Sequence, residues 1–188
     1  MTIIAFLFPK KEGNLPLWGW AIISYVAVYG FGSLNHELGK WIGFYLFSPR
    51  DESVFQHSRM IVLPWVLFLF FYHIWQAEYG YYSKILPQNK LSGAASLVFQ
   101  SWFVVAFYYT FCAFNIHGLW LDITNFAVTT LLGFILWIFF GRWKIPIGAD
   151  FVFSLLLLVP LFTHQLYCTY DQCDGDMFVT HNSSYCDK

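Results

Sequence analysis

Charge is what this sequence has least of. Lys, Arg, Asp and Glu make up 11% of its 188 residues, against roughly 25% in an ordinary soluble domain. A soluble chain of this length can bury a sizeable core, but it still needs a polar surface to cover that core. Too few polar groups are present for one, which excludes an ordinary soluble fold. The net charge is −1, and the lysines and arginines are scattered singly or in pairs. They make no basic field or stripe for a phosphate backbone, so nucleic acid is not an expected partner. Internal repeats, low-complexity tracts and the inverted symmetry of many transporters are also missing. No His-Glu-x-x-His metal motif occurs, and the acidic run Asp171 to Asp176 departs from the calcium-loop pattern at its third position.

What is present is apolar and aromatic: 58% hydrophobic residues, with aromatics at 23%. Trp, Tyr and Phe crowd the ends of the apolar runs, as a headgroup zone favours. The short stretch Thr2 to Phe8 ends at Pro9-Lys10-Lys11 and reads as an interfacial stub. A cleavable signal peptide would carry its positive charge before a short apolar region, whereas Lys10 and Lys11 precede the longer run 17–34, which reads as an uncleaved first span. Further runs at 60–77, 91–114, 123–141 and 145–166 each approach the length that crosses a hydrocarbon core as a helix. The expected fold is all-α: an integral membrane bundle of five transmembrane helices in a single domain, residues 1–188, with a cysteine-containing tail over 167–188.

Five spans place the termini on opposite sides. With the N-terminus in the cytoplasm, inner segments hold Lys10, Lys11, Lys84, Lys90, Arg142 and Lys144, and outer ones hold Lys40, Arg50, Arg59 and Lys188. That bias favours a cytoplasmic N-terminus and an extracytoplasmic tail. Cys112, Cys168, Cys173 and Cys186 then all fall outside, where disulfides persist, and three full pairings stay open. The sequon Asn182-Ser183-Ser184 also falls outside, and chance explains it as well as glycosylation does. Pro64 and Pro160 interrupt two runs and are expected to kink them. Gly30, Gly32 and Ser33, with Gly93, Ala94 and Ala95, would allow close helix contacts.

The densest polar stretch is Phe47 to Arg59. Ser48 suits a helix N-cap, Pro49 the first helical position, and Asp51 and Glu52 the first turn, where free N–H groups favour acids. A polar helix is expected to begin there and run into the second span. This topology collects Asn35, His36, Glu37, Glu52, His57, His117, Asp122 and His164 at the outer ends of the spans; His73 alone among the histidines points the other way. Neutral imidazoles with carboxylates suit zinc or another divalent metal, which would activate water for hydrolysis. In that reading His36, His57 and His164 are ligands, Asp122 is a fourth or supporting ligand and Glu52 is the base. Ser53, four residues before His57, could pair with it as nucleophile and base. The competing reading is that such groups gather at interfaces because lipid excludes them, and hydrogen-bond to one another. Asp150 is expected to act as a first-turn dipole partner, and His73 to make an interhelical hydrogen bond.

The order His36, Trp41, Phe47-x-Pro49-x-Asp51-Glu52-Ser53-Val54-Phe55-Gln56-His57-x-Arg59, then Pro64, resembles a family of uncharacterised prokaryotic multi-pass membrane proteins. Its pattern is close to His, then Phe-x-Pro-x-Asn-Glu-Ser-Val-Trp-Glu-His-x-Lys, then Pro within the next span. Phe47, Pro49, Glu52, Ser53, Val54 and His57 match; Asp51, Phe55, Gln56 and Arg59 depart from it. The missing acid at Gln56 weakens any carboxylate-dependent role carried over. The resemblance implies about five helices and a shared polar element, and no activity.

Two functions follow from these residues. One is a non-catalytic subunit or interaction protein, held in a membrane assembly with other membrane-protein subunits by aromatic helix faces. The other is a membrane-embedded metal-dependent hydrolase. Transport ranks third, because apart from His73 and Asp150 the span interiors lack ionisable residues.

Overall fold

Helix boundaries in this chain are set by a few capping residues. The computed structural model describes residues 19, 22–23, 25–34, 54–79, 89–114, 116 and 118–170, and within these not the side chains of 54–57, 75–79, 119 and 169–170. Four α-helices are described: α1 (Val54–Tyr79), α2 (Lys90–Ala113), α3 (Leu119–Gly141) and α4 (Ile147–Tyr170). A π-helical turn, Val26–Gly30, continues into helical residues at 31–34. Asn89, with extended backbone, caps α2 by accepting from the Ser92 N–H. Gly118, at φ 136°, turns the chain into α3, a conformation open to glycine. Pro146 separates α3 from α4 and accepts from the Asp150 N–H at 2.9 Å. Pro64 and Pro160 both lie inside helices that run on through them.

Three of these helices are long and apolar enough to cross a membrane: α2, residues Trp120–Gly141 of α3, and Ile147–Cys168 of α4. The apolar part of α1, Ser58–Ile74, is shorter. The expected spans at 91–114, 123–141 and 145–166 therefore correspond to long apolar helices, while the two before them do not reach that length among the described residues. The expected helix start at Ser48 and Pro49 lies outside the described residues; from Val54 the helix runs unbroken into the apolar segment.

α2 is the hub, packing on α1, α3 and α4, while α1 also holds the π-helical turn. Hydrogen bonds from Asn89 to Phe140, Ser96 to Gly133 and Asn125 to Val104 keep α2 and α3 antiparallel in one register. Between α1 and α3 the core is aromatic. Trp137 is wholly buried and meets Tyr72 at 4.7 Å and Phe68 at 5.2 Å, both nearly perpendicular. Edge-to-face pairs of this kind contribute about 1 kcal/mol each beyond area burial. Small residues set the closest approaches: a side chain at Gly32 would strike the Met60 carbonyl, and one at Gly93 the Leu69 side chain. Gly30 has nothing near it, so of the pair Gly30 and Gly32 only Gly32 marks a contact.

Candidate functional site

Thirteen of the described polar side chains are buried, and most of them gather at three depths. At one end of the bundle, Asp150 in the first turn of α4 reaches across to the start of α2. Its carboxylate oxygens accept the Lys90 and Leu91 N–H groups at 2.9 and 2.8 Å. Asn89 Oδ1 accepts the Ser92 N–H at 2.8 Å. Three of the four N–H groups that a helix start leaves unpaired are thus satisfied. The amide of Asn89 also donates to the Phe140 and Trp143 carbonyls at the end of α3, both at 3.0 Å. One asparagine and one aspartate therefore join the starts of α2 and α4 to the end of α3. Asp150 is a dipole partner as expected from its position, but it serves the neighbouring helix in addition to sitting in the first turn of its own. The Lys90 ammonium lies 5.8 Å from the centre of the Phe151 ring. Half-buried His73 packs edge-on to Tyr72 at 5.4 Å.

Midway along α2 and α3 lies a second group: Ser96, Gln100, Ser101, Asn125, Thr129 and Thr130, each no more than 3% exposed. Asn125 Nδ2 donates to the Val104 carbonyl and accepts from the Thr129 hydroxyl through Oδ1. The Ser96 hydroxyl donates to the Gly133 carbonyl at 2.6 Å and accepts from Gln100 Nε2 at 3.2 Å. The Gln100 amide lies directly on Gly133, where any side chain would collide with it. Sequence reasoning passed over Gln100, Gly133 and Asn89; the signals available were an N-cap residue, Asn89, just before the run at 91–114, and polar Gln100 and Ser101 inside that run, which is costly in lipid without partners.

The third group lies at the opposite end, where the hydrolase reading placed its site. Gln165 on α4 donates to Ser58 on α1 at 3.1 Å, and Arg59 beside it is only 2% exposed. Of the predicted metal set, Asp122 and His164 have described side chains. His164 is exposed, with its ring 5.8 Å from that of Trp102 and the Cys168 sulfur 3.9 Å from its nitrogens. Asp122 is also exposed, in the first turn of α3, with its charge felt by Tyr108. Among the described residues no three His, Cys, Asp or Glu side chains come together as a metal site. His36, Glu52, Ser53, His117 and His181 lie outside the described residues, as does the His57 side chain.

No curated protein and no solved structure matches this chain. A family model, described only as a family of unknown function, DUF6512, matches residues 10–183. The chain, whose described elements are helical and include three helices long and apolar enough to cross a membrane, belongs to that family.

Proposed function

We propose that this protein is a non-catalytic subunit of a membrane assembly, and that α4 is the helix through which it meets its neighbour. The observation that carries the reading is the burial of α4. Only 17% of its apolar window is covered, against 50% for α2. Its buried positions Asp150, Ser154, Leu161, Gln165 and Cys168 form one narrow stripe. Away from that stripe, Phe151, Phe153, Leu156 and Val159 are each more than half exposed. Polar groups that a catalyst would leave open to substrate are instead used between helices, as in the bonds of Asp150 and Gln165.

In this reading the chain has five spans. The Asn89 end faces the cytoplasm together with the N-terminus, and the tail carrying Cys173 and Cys186 is extracytoplasmic. The location of Cys112 and Cys168 at one end of their helices supports disulfide formation with that tail. The stretch from Phe47 to Arg59 is the polar element that the family shares. Photo-cross-linking in native membranes tests the proposal, with the probe at Leu156 on α4 and a control at Ile135, an exposed position on α3. Discrete protein adducts from Leu156 and none from Ile135 are expected. Lipid adducts alone from both positions would remove the subunit reading.

A further inference from the structure

Gln100 lies ten residues into α2 and Thr130 eleven residues into α3. Each is therefore about 15 Å from the nearer end of its helix, deep in a hydrocarbon core about 30 Å thick. The register that pairs Ser96 with Gly133 and Val104 with Asn125 places the two at the same depth. Both side chains are fully buried, and Gln100 Oε1 and Thr130 Oγ1 have no hydrogen-bond partner.

The orientation of the Gln100 amide follows from its neighbour. The Ser96 hydroxyl spends its only proton on the Gly133 carbonyl. Toward Gln100 it can only accept, so the amide nitrogen must face Ser96 and the oxygen must face away. Oε1 is thus left as a carbonyl in need of a donor. Two other such atoms on α2 and α3 belong elsewhere. Ser101 Oγ is one residue, about 100°, around the helix from Gln100. Trp137 Nε1 lies among rings that meet its own nearly perpendicularly, where an aromatic face serves as a weak acceptor.

We propose that Gln100 and Thr130 form an internal water site in the contact between α2 and α3, holding a water molecule that donates to Gln100 Oε1 and bonds to Thr130 Oγ1. A water molecule has two protons and two lone pairs, so it meets the carbonyl's need and either need of the hydroxyl. Buried polar groups without a protein partner are where structural waters reside. Gly133 is part of the site, since its missing side chain leaves the space in which the Gln100 amide lies. The site does not depend on a partner for α4, but it does rest on α2 and α3 crossing the bilayer.

Water-edited solid-state NMR on the protein in lipid bilayers, with the glutamine side chains labelled, tests this site. Magnetisation from water should reach the Gln100 amide several-fold faster than it reaches Leu97, a buried apolar neighbour on the same helix. In Thr130→Val, which keeps the shape and loses the hydroxyl, the Gln100 rate should fall toward that of Leu97. Equal rates at Gln100 and Leu97 in the parent protein would overturn the proposal, and this comparison stands even if the variant does not fold. Transfer from lipid acyl chains to Leu156 and Ile135, recorded on the same sample, reports separately on the membrane reading. Failure there would sink that reading and leave the water result to be judged by itself.

Discussion

α2 and α4 are both 24-residue helices rich in apolar residues, and they use those residues in opposite ways. α2 sits at the centre, and its buried positions include Ser92, Ser96, Gln100 and Ser101. α4 sits at the edge and buries Asp150, Ser154 and Gln165 along its stripe while exposing Phe, Leu and Val. Both place several hydrogen-bonding groups inward, but α2 also buries Leu97, Val104 and Val105, whereas α4 leaves most of its apolar side chains outward. Lipid supplies no hydrophobic drive to pull apolar side chains inside, so packing and interhelical hydrogen bonds hold the helices instead. What separates the helices is the number of neighbours available to receive polar groups: three for α2, chiefly one for α4.

The sharpest way to break that contrast is Asp150→Ala. It strips the carboxylate from two part-buried N–H groups of α2, and about 3 kcal/mol should be lost through the two charge-assisted bonds together. Reversible unfolding in mixed micelles would measure the loss. Asn89→Ala comes next: it removes a helix cap and two donors to the end of α3, an expected loss of about 2 kcal/mol. By the same assay, Gly133→Ala should cost about 1.5 kcal/mol by pushing the Gln100 amide out of its seat. Leu156→Ala, on the outward face of α4, should change stability by less than about 0.5 kcal/mol. A large loss from Leu156→Ala in micelles would mean that the outward face of α4 is packed within the chain itself, and the contrast would fail.

Much of the helical frame was legible in the sequence, because breaks are local. Gly141 closes α3 and Pro146 precedes α4, where the apolar runs end and restart. Neither the partners nor the faces were legible. A helix that is apolar nearly all round gives no amphipathic stripe to say which side is covered. Asp150 could be recognised as a helix-start acid, yet nothing local to it named α2 as the recipient. Gln100 stood with Ser101 inside an apolar run, and its counterpart Gly133 is 33 positions away with no side chain to read. The candidate metal set rested on a shared membrane side. A shared side does not by itself bring side chains within a ligand's reach; of that set only Asp122 and His164 have described side chains, and the His164 ring lies 5.8 Å from that of Trp102.

The central claim is that α2, α3 and α4 cross the bilayer, so that the connection at 114–118 and the connection at 142–146 lie on opposite sides. Cysteine variants at exposed Ile116 and Lys144, treated with a membrane-impermeant thiol reagent and read against the parent chain's own cysteines, test it most directly. Ile116→Cys should gain label in intact cells, whereas Lys144→Cys should gain it only after the membrane is opened. Labelling of both variants under the same condition would place the two connections on one side and contradict the account.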